Sequence, residues 1–203
     1  MKRKFKVLLT RRLHRFALEK LRERYEITVH NGKVPMPKKT ILQKIKNKDG
    51  LICFPYDIID KEILDSGNKL KSISTYSVGF DHIDVNYAKK KKISIGYTPE
   101  VLTNATAELT IGLMIDLLRR ITEGDRIIRK GKWTEIFGPF DYVGTEISDK
   151  TLGILGMGRI GKTVAKKASC LGMNVLYHSR ETIAKSGKAK YVSLNELFKK
   201  SDV

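Results

Sequence analysis

Along the first part of this chain the spacing of apolar residues switches repeatedly between two periods. Apolar runs at 6–10 (KVLLT), 26–30, 50–54 (GLICF), 70–75 (LKSIST) and 93–95 predict strands. The segments between them have helical spacing. Residues 13–25 set Leu13, Phe16, Ala17, Leu18 and Leu21 broadly on one face, and 38–46 turn Ile41, Leu42 and Ile45 inward. Shorter helices are expected at 61–66 and 85–91, and Asn31-Gly32 marks a turn. Regular β/α alternation with apolar strands predicts a parallel sheet covered on both faces. The expected strand order is flavodoxin-like, with ligands at the carboxyl ends of the strands near the switch point.

Thr98-Pro99 interrupts this rhythm and sets a domain boundary, giving 1–98 and 99–203. A long helix is predicted over 105–129. Leu113 to Leu118 is apolar almost all round, so burial on several sides is expected. The aromatic segment 131–144 (GKWTEIFGPFDYVG) reads as a structured loop in which Trp133 and Phe137 anchor a core or an interface. Then comes TLGILGMGRIG at 151–161: a strand, the turn Gly156-Met157-Gly158-Arg159-Ile160-Gly161, and a helix carrying Val164, Ala165, Ala168 and Leu171. That context turns a GxGxxG match into a dinucleotide-binding fingerprint. The first glycine allows the tight turn, the second lets backbone approach a pyrophosphate, and the third lets helix pack on strand. Free N–H groups at the helix N-terminus receive the phosphates. A second strand follows at 174–177 and a helix at 193–200, and the chain stops where a third strand is expected to begin. The predicted fold class is α/β, with two doubly wound parallel sheets, flavodoxin-like and then Rossmann, the second incomplete.

Composition narrows the setting. The chain has 203 residues, 41% of them hydrophobic, enough for one or two soluble domains. No apolar run is long enough to span a bilayer, and the basic start at Lys2-Arg3-Lys4 precedes a run too short for a signal sequence, so no membrane partner is expected. Cys53 and Cys170, each in an apolar pattern, read as reduced core residues of a cytoplasmic protein rather than a bridge or metal pair. The net charge of +18 comes from lysines spread along the whole chain. Their densest run, 89–92, ends a predicted helix and has no interleaved aromatic residues, so no nucleic-acid partner is expected.

Candidate chemistry collects at the predicted strand ends. Ser77-Val78-Gly79 follows the fourth strand, where backbone N–H groups can face an anion, or where an ordinary βα turn can sit. Pro55 and Tyr56 close the third strand on the same rim. His82 has carboxylate neighbours in Asp81-His82-Ile83-Asp84, a pattern that suggests catalysis, while Asp84 also fits a helix N-cap. At the tip of the strand after the glycine turn, a NAD enzyme usually places Asp or Glu. This chain has His178-Ser179-Arg180-Glu181 instead. A hydroxyl and a guanidinium suit a 2′-phosphate, which favours NADP(H), while Glu181 offers the ribose contact that NAD(H) would use.

Several segments together resemble the D-isomer-specific 2-hydroxyacid dehydrogenases, and within them the glyoxylate/hydroxypyruvate reductases. They are LLTRR (8–12), ISTYSVGFDHIDV (73–85), GYTPEVLTNATAEL (96–109), RKGKW (129–133), KTLGILGMGRIGKTVAKKA (150–168) and YHSR (177–180), covering essentially the whole chain. The resemblance implies a substrate domain completed by a helix returning from the far C-terminus, and a nucleotide-binding domain that mediates homodimerisation. It implies reduction of a small 2-keto acid by hydride transfer. The Val78 and Gly79 amides would hold the substrate carboxylate, Pro55 and Tyr56 would shape the side-chain pocket, and Thr106 would face the nicotinamide side. Met157, Arg159 and Ile160 would line the pyrophosphate turn with its glycines. The family's catalytic Arg, Glu and His fall beyond residue 203, so no catalytic residue is assigned within this chain and truncation is expected. The competing class is a catalytically silent dinucleotide- or partner-binding module.

Overall fold

The computed structural model describes residues 3–133, 138–183 and 187–203; Phe137 lies outside them. The chain divides into two units, Met1–Val101 and Leu102–Val203, shortly after the Thr98-Pro99 break.

Unit 1 runs β1 (Phe5–Leu9), α1 (Arg15–Arg24), β2 (Tyr25–Val29), α2 (Lys38–Ile45), β3 (Gly50–Cys53), α3 (Lys61–Ser66), β4 (Ser72–Thr75), α4 (Val85–Lys90) and β5 (Ser94–Gly96). Its strands are all parallel in the order β2-β1-β3-β4-β5, the doubly wound order with its switch point between β1 and β3. Leu8, Leu51 and Ile73 stand in register on one face and pack with Ile41, Ile45, Ile63 and Leu64 from α2 and α3. The Asp84 side chain accepts from the Tyr87 N–H at 2.9 Å and caps α4, as its position suggested.

The second face departs from expectation. α1 covers Val7 and Leu9 through Leu18. Ser72, Ser74, Ser94 and Gly96, in register on the same side, are exposed. The SIST pattern of β4 alternates with period two, the mark of a half-buried strand. Phe16 also differs: it is exposed while Leu18 is buried, because two residues on a helix are separated by about 200°.

Unit 2 runs α5 (Thr103–Arg119), α6 (Ile121–Arg129), β6 (Thr151–Leu155), α7 (Arg159–Cys170), β7 (Asn174–His178), β8 (Lys190–Tyr191) and α8 (Leu194–Lys200). The long helix expected over 105–129 is two helices. Arg120 takes a left-handed conformation with φ 55°, its N–H still bonds the Asp116 carbonyl, and the Asp116 carboxylate caps α6 through the Thr122 N–H. Nor is α5 buried on several sides. Ala107 and Met114 enter the core, while Leu113 and Leu117 remain 59% and 75% exposed in this chain. Cys170, expected inside, is exposed at the end of α7; Cys53 is buried.

The sheet order is β6-β7-β8, all parallel. The missing third strand is therefore present as the short β8. α8 crosses back from it, and the residues after α8 pair with the other edge of β6, where Gly153 N–H donates to the Val203 carbonyl at 2.9 Å and Asp202 N–H to the Thr151 carbonyl at 2.8 Å. Gly153 makes this crossover fit, since a Cβ there would stand 2.1 Å from Ser201 Oγ. α8 starts on a reciprocal capping box between Ser193 and Glu196.

Candidate functional site

In unit 1 parallel pairing brings the ends of β1, β3, β4 and β5 to one rim. Arg11 follows β1, the Phe54-Pro55-Tyr56-Asp57 turn follows β3, Tyr76 to Gly79 follow β4, and Tyr97-Thr98 follow β5. Pro55 and Tyr56 are exposed there. The Tyr56 ring is held between Phe54, stacked at 5.9 Å, and the Arg11 guanidinium, which also donates to the Tyr56 hydroxyl at 3.1 Å.

Beneath the rim lie four buried polar side chains, Thr10, Asp57, Thr75 and Ser77. Burying them is tolerable because each is bonded, and no described buried side-chain polar atom lacks a partner. The Asp57 carboxylate accepts from the Thr10 hydroxyl and from the Phe54 N–H at 2.8 Å, tying the turn after β3 to the end of β1. Thr75 Oγ1 lies 2.6 Å from Ser77 Oγ and 2.9 Å from His82 Nε2, and the Ser77 hydroxyl donates to the Gly79 carbonyl at 2.6 Å. Thr98 clamps the loop from the β5 side, its N–H and hydroxyl both donating to the Ser77 carbonyl. Burial pushes the Cys53 thiol up to about 12 and lowers His82 against the pull of Asp57 and Asp81.

The N–H groups of Val78 and Gly79 donate to no other described residue. Gly79 is exposed and its φ is not left-handed, and a Cβ there would meet only Asp81 Oδ2 at 3.5 Å. The turn itself therefore does not demand glycine at 79. His82 sits under the loop rather than facing outward with a free ring. Sequence reasoning missed Thr10, Asp57 and Thr75; the available signal was a threonine ending each of two apolar strands.

In unit 2 the three glycines of the turn after β6 separate by structural cause. Gly156 has φ +100°, which side-chain-bearing residues rarely adopt. Gly158, the residue before α7, has nothing within 4 Å of the position its Cβ would take. Gly161 has the Gly156 carbonyl oxygen 2.3 Å from that position, so helix and turn meet there without a side chain. The Gly158 and Ile160 N–H groups donate to no other described residue. Met157 is buried in the core and Ile160 packs beside it, so what they present outward is backbone. Arg159 is exposed at the start of α7, and Thr106 is half-buried in the first turns of α5.

The turn is anchored to β7 by a 2.8 Å bond from the Gly156 N–H to the His178 carbonyl. His178 Nδ1 in turn lies 2.9 Å from the Val192 carbonyl. Tyr177 is fully buried and its hydroxyl bonds the Ile183 backbone, organising the segment after β7; nothing in its sequence neighbourhood announced that role. At the strand tip the Ser179 hydroxyl is committed to the Glu181 carbonyl. Arg180 and Glu181 are exposed, and among the described residues Arg180 has no ion-pair partner.

A parallel β-α-β unit and a glycine turn shaped by these three distinct causes define a doubly wound α/β protein of the Rossmann kind. Comparison with known proteins agrees and is more specific. The chain belongs to the D-isomer specific 2-hydroxyacid dehydrogenase family, whose catalytic-domain model matches residues 7–201. It is 40% identical to a glyoxylate reductase from Thermofilum pendens over 98% of this chain and 60% of that protein. Among solved structures it resembles the TT0316 protein from Thermus thermophilus, at 42% identity and a TM-score of 0.89, over 97% of this chain and 62% of that one. It also resembles a D-lactate dehydrogenase from Aquifex aeolicus complexed with NAD and lactic acid, at 28% identity and a TM-score of 0.81, over 97% and 58%. The chain thus spans about 60% of the length of the relatives it matches. Among the described residues no helix is long and apolar enough to cross a membrane.

Proposed function

We propose that this chain carries the carboxylate-binding rim and the dinucleotide cradle of a cytoplasmic reductase that converts a small 2-keto acid, glyoxylate or hydroxypyruvate, to the 2-hydroxy acid with NADP(H). The observation that carries the reading is the glycine turn of unit 2, with an exposed Arg180, without an ion-pair partner among the described residues, at the tip of the neighbouring strand. Bound nicotinamide supplies the hydride. The Gly158 and Ile160 N–H groups receive the pyrophosphate, and Arg180 supplies charge-assisted bonds to the 2′-phosphate. In unit 1 the Val78 and Gly79 amides hold the substrate carboxylate, and Tyr56 with Pro55 walls its side chain. Two unpaired cysteines fit a reducing compartment. The apolar stripe of Leu109, Leu113 and Leu117, exposed on α5, supports homodimerisation. The proton donor and the carbonyl-polarising arginine are assigned to no residue of this chain.

Fluorescence titration of the chain with each dinucleotide tests this. NADPH is expected to bind about tenfold more tightly than NADH, and Arg180→Ala to remove the difference. Equal affinities for the two in the unaltered chain reject the NADP(H) assignment. Failure to bind either rejects the cradle.

A further inference from the structure

The geometry points to a directed hydrogen-bond relay that starts at His82 and ends on the Gly79 carbonyl, making His82 a positioning residue for the 77–79 loop and its imidazolium a reinforcement of anion binding there. This rests on the reading of the Val78 and Gly79 amides as carboxylate donors.

The protons of the relay can be placed in one way that satisfies every bond. A carbonyl only accepts, so the 2.6 Å contact from Ser77 Oγ to the Gly79 oxygen uses the one hydroxyl proton of Ser77. Thr75 Oγ1, 2.6 Å from Ser77 Oγ, must therefore donate to it. With its own proton committed, Thr75 must accept from His82 Nε2 at 2.9 Å. His82 accordingly carries its proton on Nε2 and leaves Nδ1 as the basic nitrogen. Thr75 Oγ1 then gives one bond and takes one.

The relay pins one side of the loop and Thr98 pins the other. The Ser77 carbonyl points to the Thr98 N–H and hydroxyl, so the Val78 N–H of that same planar trans peptide points away from Thr98. The Gly79 carbonyl is held inward by Ser77. The peptide between Val78 and Gly79 is thus suspended between two fixed planes, with its N–H free of other described residues. An anion meeting these amides needs little reorganisation of the loop.

Protonation leaves the relay intact. The second proton goes to Nδ1, Nε2–H still donates to Thr75, and each hydroxyl bond is polarised in the same sense toward the loop. The charged groups facing the ring are Asp57, from the turn after β3, and Asp81, its neighbour in sequence; both favour the imidazolium, and burial opposes it. Because linkage is reciprocal, an anion held at Val78 and Gly79 must raise the affinity of His82 for a proton.

NMR on the unaltered chain tests this, with oxamate, an isostere of pyruvate, as the probe. Ring nitrogen shifts of His82 are expected to show the neutral Nε2–H tautomer; the Nδ1–H tautomer overturns the relay. Oxamate is expected to bind about threefold or more tightly once His82 is protonated, and a His82 titration that ignores saturating oxamate overturns the coupling. His82→Leu should weaken oxamate about three- to tenfold. His82→Gln, which returns an N–H donor and cannot titrate, should restore affinity without restoring the pH dependence. Equal binding by the two variants overturns the positioning role. If the leucine variant does not fold, the tautomer and titration of the unaltered chain still decide. Oxamate that moves neither the Val78 nor the Gly79 amide signal rejects the carboxylate reading and the anion half of the proposal, while the ring tautomer separately decides the relay.

Discussion

The turn after β6 and the turn after β4 are built in opposite ways. The turn after β6 in unit 2 works by leaving side chains out: one glycine for a left-handed φ, one for open approach, one for a close helix contact. The turn after β4 in unit 1 works by putting side chains underneath, with Thr75, Ser77 and His82 bonded in series and Thr98 clamping from the next strand. Backbone shaped by missing atoms is encoded in six consecutive residues. Backbone held by buried hydroxyls is encoded in residues scattered from 75 to 98, over two strand ends. The first should fail when an atom is added, the second when an atom is removed.

The largest effect expected from this contrast is at Gly161. A valine there places atoms against the Gly156 carbonyl, 2.3 Å from the Cβ position, and should cost about 3 kcal/mol in urea unfolding together with NADPH binding. Gly158→Ala sharpens the comparison, because its Cβ enters open space. Stability should stay within about 0.5 kcal/mol while NADPH affinity drops about tenfold or more. A Gly158→Ala chain that binds NADPH like the unaltered one would break the assignment of that space to a ligand.

Next in size is Thr75→Val, which keeps shape and removes the central hydroxyl of the unit 1 network. It leaves the His82 Nε2–H and the Ser77 oxygen without a partner, for a loss of about 2 kcal/mol. NADPH affinity should be unchanged, since the cradle in unit 2 uses no atom of that network. A fall in NADPH affinity matching the stability loss would show that the two turns are not independent.

The smallest effect is in pH. Burial lowers His82 below its usual 6.5, so the unfolded chain binds that proton more tightly. The contribution to unit 1 is complete above about pH 6.5 and is lost as pH falls through the lowered folded value. Glu196, in the capping box of unit 2, is depressed to about 2 by its bonds to Lys200 and Ser193. Its contribution is present above the ordinary value of 4.5 and fades only as pH approaches 2. Hydrogen exchange followed from pH 7 to 4 should therefore show α4 and β4 loosening before α8. Loosening of α8 first would reverse the assignment.

Much of the fold was legible because it is written locally. Apolar periodicity located the strands of unit 1, the helix Lys61–Ser66 and the Asp84 cap. The errors came where a neighbour distant in sequence, or a missing one, makes the decision. The apolar run Leu113 to Leu118 promised burial, and packing assigned only Met114 to the core. The break at Arg120 depends on the Asp116 carboxylate reaching forward to Thr122 rather than on any glycine or proline. β8 has only two residues, too few to show a period, and it exists because Tyr191 pairs with Tyr177.

The glycine turn was determined by sequence alone, since φ range and the space for a Cβ are properties of the residue type itself. So was the parallel β/α order, which follows from apolar periodicity. Which threonines become donors inside a buried relay was decided only by tertiary structure. A hydroxyl has no fixed role until the strands beside it dictate what its single proton can reach.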